Sequence, residues 1–109
     1  MAYSESLARR VREVLSATEG VSERKMFGGI AFLVTGNMCC GVSGDELMVR
    51  LGQECAERCL KEPHTREMDF TGKLIKSMLF VKPAGIQTKR ALAKWVHRAV
   101  DFVSCLPPK

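Results

Sequence analysis

Two cysteines in the middle of the chain have a spacing that could support metal binding or nucleophilic chemistry. Cys55 and Cys59 are four residues apart, so they share one face of a predicted helix, and His64 follows in a loop. Three such side chains could ligate zinc, and a thiol beside an imidazole could act as a nucleophile. The spacing matches no usual zinc motif, however, and no third residue is placed to orient the histidine. Packing of both thiols in the core is the simpler interpretation.

The other candidates for chemistry are equally weak. Cys39 and Cys40 are adjacent on a predicted strand, so their side chains should point to opposite faces and cannot share one metal ion. The acidic side chains around the second helix, which are Glu54, Glu57 and Glu62, are interpreted as its solvated face. The sequence therefore predicts no enzyme, no metal and no cofactor. The five cysteines, an odd number, are expected to remain thiols in a reducing compartment.

Two glycine motifs resemble phosphate-binding or nucleic-acid-binding loops. Gly28-Gly29 lacks the further glycines and the following helix of a phosphate loop, so a bulge or a close backbone approach explains the pair better. Residues 41–44 (GVSG) match the GXXG pattern of a KH domain, but that loop joins helices, whereas this one joins two predicted strands. A hairpin turn is the better interpretation of the second motif.

Positive charge is concentrated in the last third of the chain. The net charge is zero over residues 1–51, −2 over residues 52–70 and +7 over residues 71–109. Such a segment suits an acidic partner, either nucleic acid or an acidic protein surface. The predicted contact residues are Lys73, Lys76 and Lys82 from a hairpin, and Lys89, Arg90, Lys94 and Arg98 from the last helix.

The elements that must position these residues follow from hydrophobic periodicity. An amphipathic helix begins after Ser4, three short strands follow between residues 25 and 51, and a second helix covers residues 52–61. Two more strands precede a last helix that is capped by Thr88. The resulting order is α-β(3)-α-β(2)-α, an α+β fold with a mostly antiparallel sheet. At 12.1 kDa the chain can bury one core, so a single domain over residues 1–109 is expected.

Four stretches of the sequence resemble one known family. They are residues 25–34 (KMFGGIAFLV), 36–42 (GNMCCGV), 62–72 (EPHTREMDFTG) and 104–109 (SCLPPK). Together they resemble the N-terminal domain of the TfoX/Sxy proteins, bacterial regulators of competence genes. The resemblance implies the same α-β(3)-α-β(2)-α order and no catalytic residues. It also implies action with a transcription factor such as the cyclic-AMP receptor protein. Full-length regulators carry a second, C-terminal domain, whereas the resemblance here covers only the first domain. We therefore expect a stand-alone first domain.

The sequence therefore predicts a small, non-enzymatic regulatory module that acts through protein–protein contacts in transcriptional regulation. Direct nucleic-acid binding by the basic C-terminal segment is the alternative. The absence of a secretory signal and of a long apolar stretch predicts a cytoplasmic location and no membrane contact. Because both faces of the predicted sheet carry apolar residues, the sequence is also compatible with a homodimer.

Overall fold

The computed structural model describes residues 3–26, 29–70 and 73–107, which form an α+β fold as predicted. The elements follow in the order α1 (Glu5–Leu15), β1 (Val21–Met26), β2 (Gly29–Val34), β3 (Asn37–Ser43), β4 (Glu46–Arg50), α2 (Gln53–Cys59), β5 (Thr65–Phe70), β6 (Lys73–Val81) and α3 (Lys89–Val103). A 3-10 turn at Pro83–Gly85 leads from β6 into α3. In the described part of the chain, no helix is both long and apolar enough to cross a membrane.

The six strands form one antiparallel sheet in the order β1-β2-β3-β4-β6-β5. One set of side chains, in register across the four central strands, shares a core with all three helices; examples are Phe32, Val49 and Leu79. The helices therefore pack on a single face of the sheet. Alternation along each strand fixes which side chains reach this core.

The sheet contains one strand more than the sequence predicted. The apolar run that was predicted as one strand at residues 25–34 is divided between β1 and β2, which pair from Val21↔Val34 to Met26↔Gly29. β1 lies at the edge of the sheet, and its residues 22–25 (SERK) are exposed. Charged edge strands discourage pairing with other chains. Because β1 has no hydrophobic run, its strand conformation could not be predicted from the sequence.

Cys39 and Cys40 do not point to opposite faces, so that prediction is wrong. A β-bulge in the β2–β3 pairing aligns Cys40 with Phe32 but Met38 with Leu33, which leaves Cys39 as the extra residue. Both thiols are completely buried in the core that the helices share. The pKa of Cys40 is well above its ordinary value because its thiol is hydrogen-bonded to Cys39 and because it is buried. Cys40 is thus a neutral core side chain at physiological pH, and Cys39 is buried beside it.

The face of the sheet opposite the helices is also apolar. Ala31, Met48 and Phe80 on this face are nevertheless buried within the single chain. The homodimer stays a prediction, but these three side chains are not available on a free surface. Arg66 lies over the Phe80 ring at 4.1 Å and donates two hydrogen bonds to Glu46, at 2.7 and 2.8 Å.

Both glycine motifs have structural roles in the meander, the antiparallel run of strands β1 to β4. Gly29 is buried at the start of β2, where its backbone lies directly against the main chain of Val42, so the close-approach interpretation is confirmed. Gly28 lies outside the described residues. Residues 41–43 of the GVSG motif belong to β3, and Gly44, with a φ of +59°, begins the two-residue turn to β4, so the motif leads into a hairpin turn.

The first and last helices begin where the sequence predicts. The Ser4 hydroxyl accepts a hydrogen bond from the Leu7 amide at 3.2 Å, and the Thr88 hydroxyl accepts one from the Ala91 amide at 3.1 Å. α3 buries an apolar stripe that consists of Leu92, Trp95, Val96, Ala99 and Val103. Phe102 and Leu106 are half-buried. This stripe fixes the rotation of α3 and therefore decides which of its cations face solvent.

Candidate functional site

A connected group of side chains lies where the end of α2 meets α3. We call this group the α2–α3 cluster; it consists of Cys55, Cys59, Glu62, Lys94, Trp95 and Arg98. The cysteines lie on the short helix α2, Glu62 lies in the turn that follows it, and the other three residues lie within little more than one turn of α3.

Arg98 is the centre of the α2–α3 cluster. Its Nη1 atom donates to Glu62 Oε2 at 2.7 Å and lies 3.7 Å from Cys59 Sγ, and its guanidinium group covers the Trp95 ring at 4.8 Å. Lys94 approaches the other carboxylate oxygen of Glu62 at 3.5 Å. One carboxylate therefore pairs with two cations of α3, and both cations also lie over the indole ring of Trp95.

Glu62 is ionised under physiological conditions. Its partial burial alone would raise the pKa of this carboxyl group, but the hydrogen bond and charge of Arg98, with a smaller contribution from Lys94, outweigh that effect. The net result is a lowered pKa. The ion pair thus persists over the whole neutral range.

The two thiols of α2 lie side by side, as their spacing predicts. The sulfur atoms of Cys55 and Cys59 are 3.9 Å apart. Burial, reinforced by the neighbouring Cys55, raises the pKa of Cys59 to about 11, although the charge of Arg98 acts in the opposite direction. Cys59 is consequently a thiol at neutral pH, and Cys55 is the more exposed of the two.

His64 does not join these thiols in a recognisable metal site. Its side chain is exposed, and its carbonyl oxygen accepts a hydrogen bond from the Lys82 amide at 2.7 Å. Among the described residues, no three His, Cys, Asp or Glu side chains come together as a metal-binding group.

The predicted basic contact residues fall into separate groups. Lys94 and Arg98 are paired with Glu62, whereas Lys89 and Arg90 occupy the first turn of α3, exposed and without an ion pair to any described residue. Lys82 is exposed beyond the end of β6, near Glu46. The pKa of Glu46 is lowered chiefly by the hydrogen bond from Arg66 and to a lesser extent by the charge of Lys82. The side chains of Lys73 and Lys76 lie outside the described part of the structure.

Sequence reasoning missed the role of Glu62. Glu54 and Glu57 are exposed as predicted, but Glu62 lies beyond the end of α2 and turns towards α3 rather than belonging to a solvated helix face. The only signal in the sequence is the pair of cations at positions 94 and 98, which share a helix face and so could meet a single carboxylate.

A family model described as the TfoX N-terminal domain matches residues 13–103. The chain belongs to the TfoX N-terminal domain family. The matched range begins inside α1 and ends with α3, so it contains the whole sheet and the α2–α3 cluster. No curated protein and no solved structure gives a significant match.

The Glu62 ion pairs of this TfoX N-terminal domain should contribute to stability in a pH-dependent manner. Because folding lowers the pKa of Glu62, the stabilisation is present above the pKa of the unfolded chain and is lost as the pH falls through the folded value. Glu62→Gln should therefore lower the free energy of unfolding at pH 7 by about 0.5 kcal/mol, a modest value because the carboxylate is partly solvated. At pH 3 the difference should shrink towards zero.

Urea denaturation at the two pH values measures this difference. Glu19→Gln is the matched control, because Glu19 is exposed and forms no ion pair with a described residue. Equal destabilisation by Glu62→Gln at pH 7 and pH 3 would show that the loss does not come from the ion pairs.

Proposed function

We propose that this TfoX N-terminal domain is a non-enzymatic regulatory module that contacts a partner protein through the exposed start of α3. The observation that supports this proposal is the position of Lys89 and Arg90. Both are exposed in the first turn of α3, and neither has an ion pair with a described residue. Cations at a helix N-terminus are opposed by the helix dipole, by about 0.3–1 kcal/mol each. Two unpaired cations at this position lower stability, which favours a role in contacting an acidic partner.

Further along α3, two cationic side chains are already ordered, which would favour such a contact. Lys94 and Arg98 are held by Glu62 and by the Trp95 ring, so they present charge with little further loss of side-chain freedom on binding. The expected partner surface is acidic, and complementary charge would mainly accelerate association. By resemblance to the competence regulators, we propose a transcription factor such as the cyclic-AMP receptor protein as partner, in the cytoplasm.

Direct nucleic-acid binding is the second candidate, because the same cations could contact phosphates. Single-strand binding generally adds stacking of bases on exposed aromatic rings. Trp95, the aromatic residue nearest these cations on α3, is only 2% exposed, and its ring is already covered by Arg98 and Lys94. Any nucleic-acid binding at this surface should therefore be electrostatic and should weaken log-linearly with salt.

Charge reversal at the start of α3 tests the proposal. The double variant Lys89→Glu/Arg90→Glu should weaken binding to the purified cyclic-AMP receptor protein by about tenfold or more, because complementary charges become repulsive. The matched control is Arg24→Glu/Lys25→Glu, which makes the same change in charge at two exposed positions of the edge strand β1. The control should leave affinity within about twofold, because charges away from the contact surface act on binding only through screened long-range interactions.

Fluorescence anisotropy with the labelled receptor protein, and separately with a labelled duplex of arbitrary sequence, separates the two candidates. Binding to the receptor that is lost only in the α3 variant supports the protein-contact proposal. Log-linear salt-dependent binding to the duplex, without binding to the receptor, supports the nucleic-acid alternative. Equal loss in both double variants would show that net charge, rather than the α3 surface, governs binding.

A further inference from the structure

The two thiols of the α2–α3 cluster, Cys55 and Cys59, have no part in the proposed regulatory contact. Cys55 Sγ and Cys59 Sγ are 3.9 Å apart, and neither thiol is in a disulfide. Cys59 is only 6% exposed, whereas Cys55 is half-buried, so the pair is open to solvent on the Cys55 side. Two thiols at this separation can either be oxidised to a disulfide or bind one metal ion between them.

Helix geometry disfavours the disulfide. Side chains at positions i and i+4 of an α-helix have Cβ atoms about 5–6 Å apart, whereas a disulfide needs about 3.5–4.5 Å. Closing the bond would therefore distort α2. A single bridging metal ion fits better, because two metal–sulfur bonds of about 2.3 Å span about 3.8 Å at a tetrahedral angle and about 4.6 Å when linear. The observed sulfur separation of 3.9 Å lies close to the tetrahedral end of that interval, so a two-coordinate ion would draw the half-buried Cys55 side chain outwards towards the linear limit.

We propose that Cys55 and Cys59 form a two-thiolate binding site for one soft monovalent metal ion of the Cu(I) class. Thiolate ligands select soft ions, and Cu(I) accepts two-coordinate geometry. Zinc normally requires four ligands. The described residues supply no third metal ligand at this pair, since both carboxylate oxygens of the neighbouring Glu62 are used by Arg98 and Lys94.

The charges around the pair suit such an ion. Binding converts two thiols and one Cu⁺ into a dithiolate complex of charge −1 and releases two protons to solvent, with no change in oxidation state. Arg98 Nη1 lies 3.7 Å from Cys59 Sγ and can donate to the thiolate that forms. The guanidinium group thereby offsets the negative charge of the complex. Two thiolates around a divalent ion would form a neutral complex, which has no such charge to offset.

This inference does not depend on the proposed regulatory function, and it can be tested on the reduced full chain. Anaerobic titration with Cu(I) in the presence of the chromophoric chelator bicinchoninate reports how much ion the protein withholds. The wild-type chain should withhold one equivalent that Cys55→Ser loses, with affinity falling at least tenfold. Cys105→Ser removes an exposed thiol beyond the C-terminal end of α3 and is the matched control, expected to behave as the wild type.

Cys55 is the better position for the substitution because it is half-buried, so the variant should stay folded, which far-ultraviolet circular dichroism checks. Cys55→Ala provides a second variant without a hydroxyl group. Two sulfur neighbours in the X-ray absorption spectrum of the bound copper would support the site. Retention of the equivalent by both Cys55 variants, its loss in Cys105→Ser, or preferential binding of zinc over Cu(I) would overturn the proposal.

Discussion

Trp95→Ala should be among the most destabilising single changes in this chain, lowering the free energy of unfolding by about 4 kcal/mol. The side chain is 2% exposed and belongs to the core that all three helices share with the sheet. Its ring also supports Arg98 at 4.8 Å and Lys94 at 5.3 Å. Truncation would leave a large cavity and remove the surface against which the two cations are positioned. A domain of this size has a total stability of only about 5–15 kcal/mol.

Urea denaturation at pH 7 measures the loss, and two further variants show its origin. Trp95→Phe keeps most of the apolar volume and should cost clearly less. His97→Ala changes an exposed residue two positions further along the same helix and should alter stability by less than about 0.5 kcal/mol. If Trp95→Ala cost no more than His97→Ala, Trp95 would not be the core anchor of α3 that the structure indicates.

The helices could be predicted from the sequence because their signals are local. A cap residue and an apolar stripe, such as Thr88 followed by Leu92, Trp95 and Val96, specify where α3 begins and which side it buries. The register of Cys39 could not be predicted in this way. Whether a strand carries a bulge depends on how many residues its partner contributes, and adjacent cysteines show no sign of it.

The candidate site was predictable only in its local parts. The shared face of Cys55 and Cys59 follows from their spacing on a helix, and the concentration of cations in the last third follows from counting charges. The sequence does not show which cations are paired with a carboxylate, because Glu62 and Arg98 are 36 residues apart. That contact depends on how α3 lies across the sheet, which is decided by tertiary packing.

Gly29 is the position in the meander at which a single methyl group should have the largest effect. A Cβ atom there would collide with the carbonyl oxygen of Val42 and would lie 3.3 Å from its carbonyl carbon. Both obstacles are main-chain atoms of β3, next to the ladder pair Ile30↔Val42, so they cannot move without shifting the strand. Gly29→Ala should therefore lower the free energy of unfolding by about 3 kcal/mol, at the upper end of the usual cost of overpacking.

Gly44→Asn is the matched control for this prediction. Gly44 has a φ of +59°, a region that asparagine tolerates, and an added Cβ atom would meet nothing within 4 Å. This variant should change stability by less than about 1 kcal/mol, as exposed substitutions usually do. Urea denaturation of both variants compares Gly29, where the limit is lack of space, with Gly44, where the limit is the positive φ angle. Equal costs would mean that β2 can move away from β3 at Gly29, whereas the expected large difference would show that this glycine is required because two strands approach too closely for a side chain.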